Sequence, residues 1–464
     1  MLDDRSLSSR EKRGLGTELT RSLRNWTAVT LPALAALCLS AAAEAATGVA
    51  PARGFAPHEL IVKLEGERSG RAVRLPAGVS VLETARALRH NPRVAYAVPN
   101  HIATASATKS QAEPEIPNDP GGLNSPPEPP GGWVAKQWSF LPWEGSTTPL
   151  LPVSPGGIDV VGAWGNLSAA GSPGGAGVTI AVLDTGVAYR SFGSEFRRSP
   201  DFSTGQFAKG RDFVDEDLLP LDLNGHGTHV AGTIAEKTNN GIGLTGIAYR
   251  AKLLPVRVLD EFGRGEADDI ARGIRFATAA GADVINMSFN FGCGKQVPSV
   301  DEALRQAHSK GVVTVASIGN LGAESCVSPP ATGPHVIGVG GTTEGGCLGD
   351  YSLAGEKVDL LAPGGGRPAL GCPSVSMRPI YQVTLRGHNP RRFGEPGNYV
   401  GTSMAASHVS AVAALVIASG LFGKDPAAAE VARRLRQTAR DIGLAANRQG
   451  AGLIDAGAAT DLAV

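Results

Sequence analysis

Two kinds of apolar pattern alternate along residues 133–464, and this alternation limits the possible fold more than any other feature of the sequence. Short runs rich in β-branched residues predict strands at 178–183, 252–259, 284–287 and 312–317. Helical spacing predicts helices at 226–235, 266–279, 300–310 and 403–418. The alternation therefore indicates an α/β fold, a three-layer domain on a mostly parallel sheet. Functional residues of such sheets gather at the carboxyl ends of the strands.

The N-terminus has the pattern of an export signal. An apolar run at 26–46 follows two arginines and ends in the small-residue pattern Ala43-Glu44-Ala45. This arrangement predicts a secretory signal peptide over residues 1–45. A membrane anchor is the alternative, which Pro32 and the alanine-rich end of the run disfavour. We therefore expect an exported protein, secreted or periplasmic, with no stable membrane anchor.

Two further segments precede the α/β domain. Residues 46–101 predict a small α+β unit, in which strands at 59–64 and 91–99 flank a helix at 81–89. Leu82, Ala85 and Leu88 lie on one side of that helix, and a unit of this size needs a partner surface to complete its core. Residues 102–132 are rich in Ala, Ser, Pro and Gly. Such a composition predicts an extended linker that is open to proteolysis.

The cysteines agree with export. Four remain after the signal peptide, and an even number in an exported protein favours disulfides. Three pairings are possible. We favour Cys293–Cys326 and Cys347–Cys372, because neighbours in sequence close the shorter loops. Four free, buried thiols are the alternative.

Four residues have the chemistry that a serine hydrolase needs: a nucleophile, a base, an anion that orients the base, and donors for the oxyanion. Asp184 ends the strand at 178–183, and His226 lies between two glycines. Ser403 begins a predicted helix, where free N–H groups favour negative charge. Asn320 follows the strand at 312–317 and offers a side-chain amide. Each also has an ordinary explanation, such as a helix cap, a metal ligand, a packed histidine or a turn residue.

Taken together, the motifs are much more specific than each alone. The strings DTGV, HGTHVAG, NMSF, GN and GTSMA occur in this order, and over 133–464 the chain resembles the subtilisin-like serine proteases. The resemblance implies a monomeric serine endopeptidase that acts on proteins or peptides through an acyl-enzyme, without a catalytic cofactor. It also implies that Asp184 orients His226, that His226 is base and then acid, that Ser403 attacks and that Asn320 binds the oxyanion.

The same resemblance implies a substrate pocket next to the triad. Its two walls would be Ser288, Phe289 and Asn290 on one strand end, and Ser317, Ile318 and Gly319 on the other. The Cys293–Cys326 bridge would tie these walls together. Asn290 stands where the family usually has glycine, so we expect a narrower or more polar pocket. Ser407 replaces a usual proline and is expected to be tolerated.

Two more features follow from the resemblance. The loop at 237–244 is similar to the family's calcium-binding loop, and Gln137, Asp201 and Asn240 would supply oxygen ligands for a structural calcium ion. A plain turn is the alternative. Residues 46–101 are similar to the family's propeptide, which would bind its own enzyme as chaperone and inhibitor until a cut within 102–132.

Competing functions each lack a necessary residue. A sedolisin-like peptidase on this fold needs Glu in place of His226, and an inactive homologue would lack one of the four chemical roles. A metal-dependent hydrolase needs a ligand cluster, whereas His226 and His229 have no acidic third ligand nearby. We expect His229 to be a packed helix residue. The balance of 43 basic and 43 acidic residues argues against nucleic-acid binding.

Overall fold

The structure is a computed structural model, and it describes residues 55–463 except 68, 77, 102–115, 127–130, 147, 149–150 and 323–325. The predicted signal peptide, 1–45, lies outside the described residues. Within the described part of the chain, no helix is long and apolar enough to cross a membrane. The chain divides into two compact units between Thr108 and Lys109.

The N-terminal unit is a three-stranded antiparallel sheet with one helix. Strands β1 (Phe55–Leu64), β2 (Arg71–Arg74) and β3 (Val94–His101) pair in the order β2-β1-β3. Helix α1 (Val81–Leu88) begins where the Ser80 hydroxyl accepts a hydrogen bond from the Glu83 N–H. A small core fills this unit and includes Leu60, Ala85 and Leu88.

One residue of α1 faces away from the side that the sequence predicted. Leu82 is 48% exposed, whereas Val81, Ala85 and Leu88 are buried. The buried positions follow spacings of four and three residues, which place them on one face of a helix. Val81, rather than Leu82, therefore begins the buried stripe, and the prediction for Leu82 was wrong.

The second unit is built on a seven-stranded, fully parallel sheet, which confirms the predicted fold class. The strand order is β10-β9-β8-β7-β4-β6-β5. The seven strands are β4 (Thr179–Asp184), β5 (Arg211–Asp212), β6 (Lys252–Arg257), β7 (Val284–Met287), β8 (Val313–Ser317), β9 (Val336–Thr342) and β10 (Leu360–Pro363). A separate hairpin pairs β11 (Thr384–Arg386) with β12 (Asn389–Gly394).

Helices cover the sheet. They are α2 (Trp133–Lys136), α3 (Val160–Ala169), α4 (His226–Ala235), α5 (Ala267–Ala279), α6 (Pro298–Ser309), α7 (Thr402–Ala418), α8 (Ala428–Gln437), α9 (Ala446–Gln449) and α10 (Ala456–Thr460). Helix α7 is apolar on nearly every side and contacts β7, β8, β9 and β10. A helix that is apolar all round belongs in a core. Because α7 also contacts α4, the two helices that begin at the predicted site lie side by side.

The strand order brings the predicted site residues to one edge of the sheet. β5 and β6 lie on one side of β4 and β7 to β10 on the other, so the chain crosses β4 when it passes from β6 to β7. Leu183 pairs with Met287, and Met287 pairs with Ala316. The residues that follow these positions are Asp184, Ser288 and Ser317, which therefore lie next to one another. Such a switch point is where open α/β sheets bind ligands.

The predicted linker at 102–132 differs from expectation in the part that the structure describes. Asp119 is fully buried and accepts hydrogen bonds from the Asn239 N–H (2.8 Å) and the Asn240 N–H (3.0 Å). The Gly121 N–H donates to the Gly243 carbonyl at 2.8 Å. Residues 116–126 thus pack against the loop at 239–243 instead of extending freely. Composition could not reveal this, because most of the contacts that hold the segment are hydrogen bonds between Asn118, Asp119 and its backbone and a loop about 120 residues away.

Candidate active site

Asp184 ends β4 with its carboxylate fully buried. Its Oδ1 accepts a hydrogen bond from the Thr185 N–H at 2.8 Å and another from Nδ1 of His226, also at 2.8 Å. Gly186, at φ +99°, turns the chain directly after the strand, and a Cβ there would lie 2.6 Å from the Leu221 carbonyl oxygen. The tight turn therefore leaves the carboxylate facing α4 rather than solvent.

His226 is the first residue of α4, after Gly225 at φ +104°. Its side chain is 26% exposed, so one edge of the ring reaches solvent while Nδ1 is held by Asp184. Burial by itself lowers the pKa of the imidazole. Attraction to Asp184, the hydrogen bond between them and a further contribution from Asp222 outweigh burial, and the pKa is raised above its ordinary value.

Asp222 is a functional residue that the sequence did not single out. This buried carboxylate accepts hydrogen bonds from the Gly225 N–H (2.9 Å), the Thr228 N–H (3.0 Å) and the Thr185 hydroxyl (3.0 Å). It thereby holds the loop and first turn of α4 that carry His226, and burial raises its own pKa. An Asp four residues before the histidine, in a glycine-containing turn, was the available signal.

Ser403 lies in the first turn of α7, after Gly401 at φ +143°. Its hydroxyl donates to the Ser288 carbonyl at 3.0 Å, and the Ser288 hydroxyl donates back to the Ser403 carbonyl at 2.9 Å. No hydrogen bond joins Ser403 to His226 among the residues that the structure describes. The ground state thus has the Asp184–His226 pair formed and the serine hydroxyl turned toward β7. Catalytic hydrogen bonds of free enzymes often form only when substrate binds.

Asn320 is fixed beside the start of α7. Its Oδ1 accepts hydrogen bonds from the Thr402 N–H (2.8 Å) and the Thr402 hydroxyl (2.9 Å). Because the carbonyl end of the amide is used in this way, the Nδ2 end is left to donate. A Cβ on Gly401 would lie 3.0 Å from that Nδ2, so glycine keeps the space in front of the donor open.

Comparison with known proteins places this site in a family. A model of the subtilase family matches residues 175–452, more than half of the chain. The chain belongs to the subtilase family. The thermophilic serine proteinase of Bacillus sp. is 38% identical over 269 residues, which are 58% of this chain and 58% of that protein. Subtilisin BL of Lederbergia lenta is 36% identical over 290 residues, 62% of this chain and 91% of that one.

A solved structure agrees. A protease of Pseudoalteromonas arctica covers 74% of this chain and 98% of its own, with 29% identity and a TM-score of 0.58. Subtilase membership makes the chain a serine endopeptidase by class, with a fold that needs no catalytic cofactor.

In this subtilase the two predicted pocket walls are joined by side chains. Asn290 Nδ2 donates to the Ser317 carbonyl at 2.6 Å, and the Ser317 hydroxyl donates to the Phe289 carbonyl at 3.4 Å. Ser317 is fully buried. Asn290 therefore bridges the gap between the ends of β7 and β8 beside Ser403. A glycine in its place could not make this bridge.

Both predicted disulfide pairings are confirmed. Cys293 is bonded to Cys326, and Cys347 is bonded to Cys372. The first bond links the segment after β7 to the segment after β8, beyond the two walls. This disulfide therefore joins those two segments covalently. The hydrogen bond from Asn290 joins the walls themselves.

The three predicted calcium ligands lie around one loop, and each forms hydrogen bonds with different partners. Gln137 bonds Thr245 at both ends of its amide, to the carbonyl at 2.7 Å and from the N–H at 3.0 Å. Asp201 accepts from Asn240 Nδ2 (2.8 Å) and the Leu244 N–H (2.8 Å). Asp119, which the sequence did not single out, accepts hydrogen bonds from the Asn239 and Asn240 N–H groups of the same loop.

Three acidic side chains are buried near this loop. Asp119, Asp201 and Glu236 are all fully buried, and Glu236 Oε1 has no hydrogen-bond partner among the described residues. Burial raises the pKa of Asp119 to about 6 and holds those of Asp201 and Glu236 well above their usual range. Among the described residues, no group of three or more His, Cys, Asp or Glu side chains is placed so that it could hold a metal ion.

The remaining histidines near the site are structural. His229 stacks on Tyr399 with ring centroids 4.0 Å apart, and its Nε2 donates to the Ile380 carbonyl at 3.0 Å. Burial lowers its pKa to about 3, so it stays neutral. His408 donates from Nδ1 to the Met404 carbonyl at 2.7 Å, and burial lowers its pKa to about 4. The Ser407 hydroxyl donates to the same carbonyl at 2.6 Å, which satisfies this buried residue.

Proposed function

We propose that this subtilase is a secreted endopeptidase in which Asp184, His226 and Ser403 form the catalytic triad. The observation that carries the proposal is the 2.8 Å bond between His226 Nδ1 and Asp184, at the sheet edge where Ser403 lies in the first turn of α7. That bond leaves Nε2 of His226 unprotonated and able to take the Ser403 proton. A rotation of the Ser403 side chain away from the Ser288 carbonyl is the movement required.

The reaction then follows from the groups in place. Ser403 Oγ attacks the peptide carbonyl while His226 takes the proton, and Asp184 stabilises the resulting imidazolium. Asn320 Nδ2 and the Ser403 N–H, in the first turn of α7, bind the oxyanion. His226 passes the proton to the leaving amine, and water repeats the sequence to hydrolyse the acyl-enzyme. No cofactor takes part.

The substrates are proteins or peptides, and the residue before the scissile bond enters between the two walls. Ser288, Phe289 and Asn290 form one wall, and Ser317, Ile318 and Gly319 form the other. Because Asn290 bridges them, the pocket favours a small side chain.

The N-terminal segments fit a pre-pro-enzyme. Residues 1–45 direct export, the unit within 46–101 acts as the enzyme's own propeptide, and a cut within 102–132 releases it. The packing of 116–126 against the loop at 239–243 supports a cut before residue 116, so that Asp119 stays in the mature, monomeric enzyme. Two disulfides are typical of a protein that works outside the cytoplasm.

A structural calcium ion at the loop 239–244 would offset the buried acidic charge. Calcium takes about six to eight oxygen ligands. Asp119 and Asp201 fit as two of them, and main-chain carbonyls or water would supply others. Gln137 and Asn240 are poorer candidates, because both ends of each side-chain amide are already hydrogen-bonded within the protein. The ion would stabilise the fold and would take no part in peptide hydrolysis.

The proposal is tested with the full precursor carrying Ser403→Ala. We expect this variant to remain unprocessed and to show no caseinolysis, while the matched variant Ser309→Ala, changed at an exposed serine on α6, matures normally. Adding a trace of wild-type enzyme should cut the Ser403→Ala precursor between residues 102 and 116. Normal caseinolysis by Ser403→Ala would refute the triad, and maturation of that variant without added enzyme would refute self-processing.

A further inference from the structure

A surface with unbalanced positive charge adjoins the candidate site. It consists of the loop 190–198 and the hairpin 384–394, which are joined where the Arg197 N–H donates to the Pro390 carbonyl at 2.9 Å. These two segments contain six arginines and one acidic residue, Glu195. We call them the arginine surface. Its arginines are Arg190, Arg197, Arg198, Arg386, Arg391 and Arg392.

The arginines of this surface are left without acidic partners. Arg386, Arg391 and Arg392 are exposed, as are Arg190 and Arg197. Arg197 donates to the Gly193 and Phe196 carbonyls, which leaves its charge uncompensated. No carboxylate of the described residues forms an ion pair with any of the six, whereas elsewhere pairs such as Arg367–Asp350 and Arg378–Glu344 are common. Since the whole chain is neutral, this positive field is local.

The arginine surface is fastened to the residues just before His226. The Thr384 hydroxyl donates to the Gly225 carbonyl, and His388 Nδ1 donates to the Asn224 carbonyl at 2.7 Å. A Cβ on Gly225 would lie 3.2 Å from the Leu385 Cβ. Arg386 is two residues beyond Thr384, so its Cα lies within about 8 Å of that anchoring residue. A substrate that reaches His226 therefore passes close to these charges.

The two sides of the scissile bond meet different parts of the cleft. The side chain before the bond lies at the walls 288–290 and 317–319, next to Ser403. The leaving amine is the group that His226 protonates, so the residues after the bond depart past His226. The hairpin is attached beside His226, through Gly225, rather than at the walls.

We infer that the arginine surface binds acidic side chains of protein substrates on the C-terminal side of the scissile bond, an inference that depends on the proposed peptidase function. Guanidinium groups bind carboxylates through two parallel hydrogen bonds. A guanidinium group without an acidic partner also attracts a carboxylate electrostatically before the two groups touch. The chain's own residues 55–101 carry seven basic and four acidic side chains. That segment has the wrong charge for this surface, which favours an external substrate.

The test uses two peptides that differ only after the scissile bond, one with two glutamates and one with two glutamines at the same positions. At low salt we expect kcat/KM to be roughly tenfold higher for the glutamate peptide, through KM rather than kcat. The preference should fade near 0.5 M salt, where the Debye length is only about 4 Å. In the double variant Arg391→Glu/Arg392→Glu it should vanish or reverse. Arg433→Glu, at an exposed position of α8, is the matched control and should keep the preference.

A binding measurement separates this inference from the peptidase proposal. In the Ser403→Ala background, fluorescence anisotropy should show tighter binding of the labelled glutamate peptide, and Arg391→Glu/Arg392→Glu should remove the difference. If no peptide is cut by the parent enzyme but this binding difference is present, the peptidase proposal fails and the surface stands. Equal binding and equal kcat/KM for both peptides at low salt would overturn the inference, as would a preference only for acids before the bond.

Discussion

His226 Nδ1 and Asp184 Oδ1 are 2.8 Å apart, and the bond between them joins the first residue of α4 to the last residue of β4. The pairing places the imidazole proton on Nδ1, so Nε2 is the nitrogen that remains able to accept a proton. It also joins two elements that the chain places 42 residues apart. The geometry of this pair is the basis of the pH prediction.

Activity should fall as pH decreases through the raised pKa of His226, because protonated imidazole cannot accept the Ser403 proton. The acid limb of kcat/KM is therefore expected above the ordinary histidine value of 6.5. Asp222→Asn removes one of the charges that raise this pKa, so its limb should move to lower pH. Asp268→Asn, at a residue 76% exposed, is the control and should leave the limb in place. A flat rate down to pH 4 would contradict the role of His226.

Asn320→Ala should lower kcat by about 10²–10³, or roughly 2.7–4 kcal/mol of barrier, as loss of the equivalent donor does in subtilisin. KM should change little, because the donor acts on charge that develops only in the transition state. Asn320→Asp keeps an acceptor for Thr402 but replaces the donor by a carboxylate, so it should be at least as impaired. Steady-state kinetics on one peptide series checks both variants. A kcat within twofold of wild type in Asn320→Ala would remove Asn320 from the oxyanion site.

Asn290→Gly should widen the pocket between the ends of β7 and β8. Wild type is expected to hydrolyse a peptide with Ala before the scissile bond faster than its Phe counterpart. In Asn290→Gly the Phe/Ala ratio of kcat/KM should rise at least about tenfold, since pocket size discriminates by one to two decades. Asn290→Asp, which keeps the volume but loses the donor to Ser317, should shift the ratio less. The bridge has no effect on specificity if wild type and Asn290→Gly give the same ratio.

Calcium should raise Tm, and the rise should grow as pH increases through about 6, the raised pKa of Asp119. The pKa of Asp119 is higher in the folded protein than in the unfolded chain, so the protonated carboxyl stabilises the fold at low pH. Without metal, this stabilisation is lost as pH rises from the unfolded pKa of 3.8 through the folded pKa of about 6. Calcium requires the ionised carboxylate and therefore opposes that loss. Asp119→Asn and Asp201→Asn should each reduce the calcium-dependent shift, measured by thermal unfolding with calcium or a chelator. Identical Tm values under both conditions at pH 8 would exclude the site.

The sequence predicted the elements that carry the site because their signals are local. Asp184, His226 and Ser403 each stand at the boundary of an apolar strand or helix, and the structure places those boundaries within one residue of the predicted ones. The prediction for Leu82 was wrong because the pattern of a short amphipathic helix does not decide which of two adjacent apolar residues, Val81 or Leu82, is buried. Asp119 was missed because it binds backbone N–H groups of a loop 120 residues further along the chain, and partners of that kind leave no pattern in the sequence. Asp222 was missed because its bonds to the Gly225 and Thr228 N–H groups and to the Thr185 hydroxyl become visible only in the folded turn before α4.

The Asn290 bridge and the arginine surface were hidden for a related reason. A substitution of Gly by Asn shows that a pocket changes, but only the partner Ser317 shows that the two walls become joined. The six arginines are divided between segments almost 200 residues apart, and the hydrogen bond from Arg197 to Pro390 brings them together. Tertiary contact, rather than local composition, creates both features.

The central claim is that one serine, activated by His226, performs the chemistry. Phenylmethylsulfonyl fluoride should inactivate the mature enzyme, and peptide mass spectrometry should place a single sulfonyl group on Ser403. The same treatment of His226→Ala should leave Ser403 almost unmodified, because the hydroxyl then has no base. Labelling at another residue, or equal labelling of Ser403 in both proteins, would contradict the account.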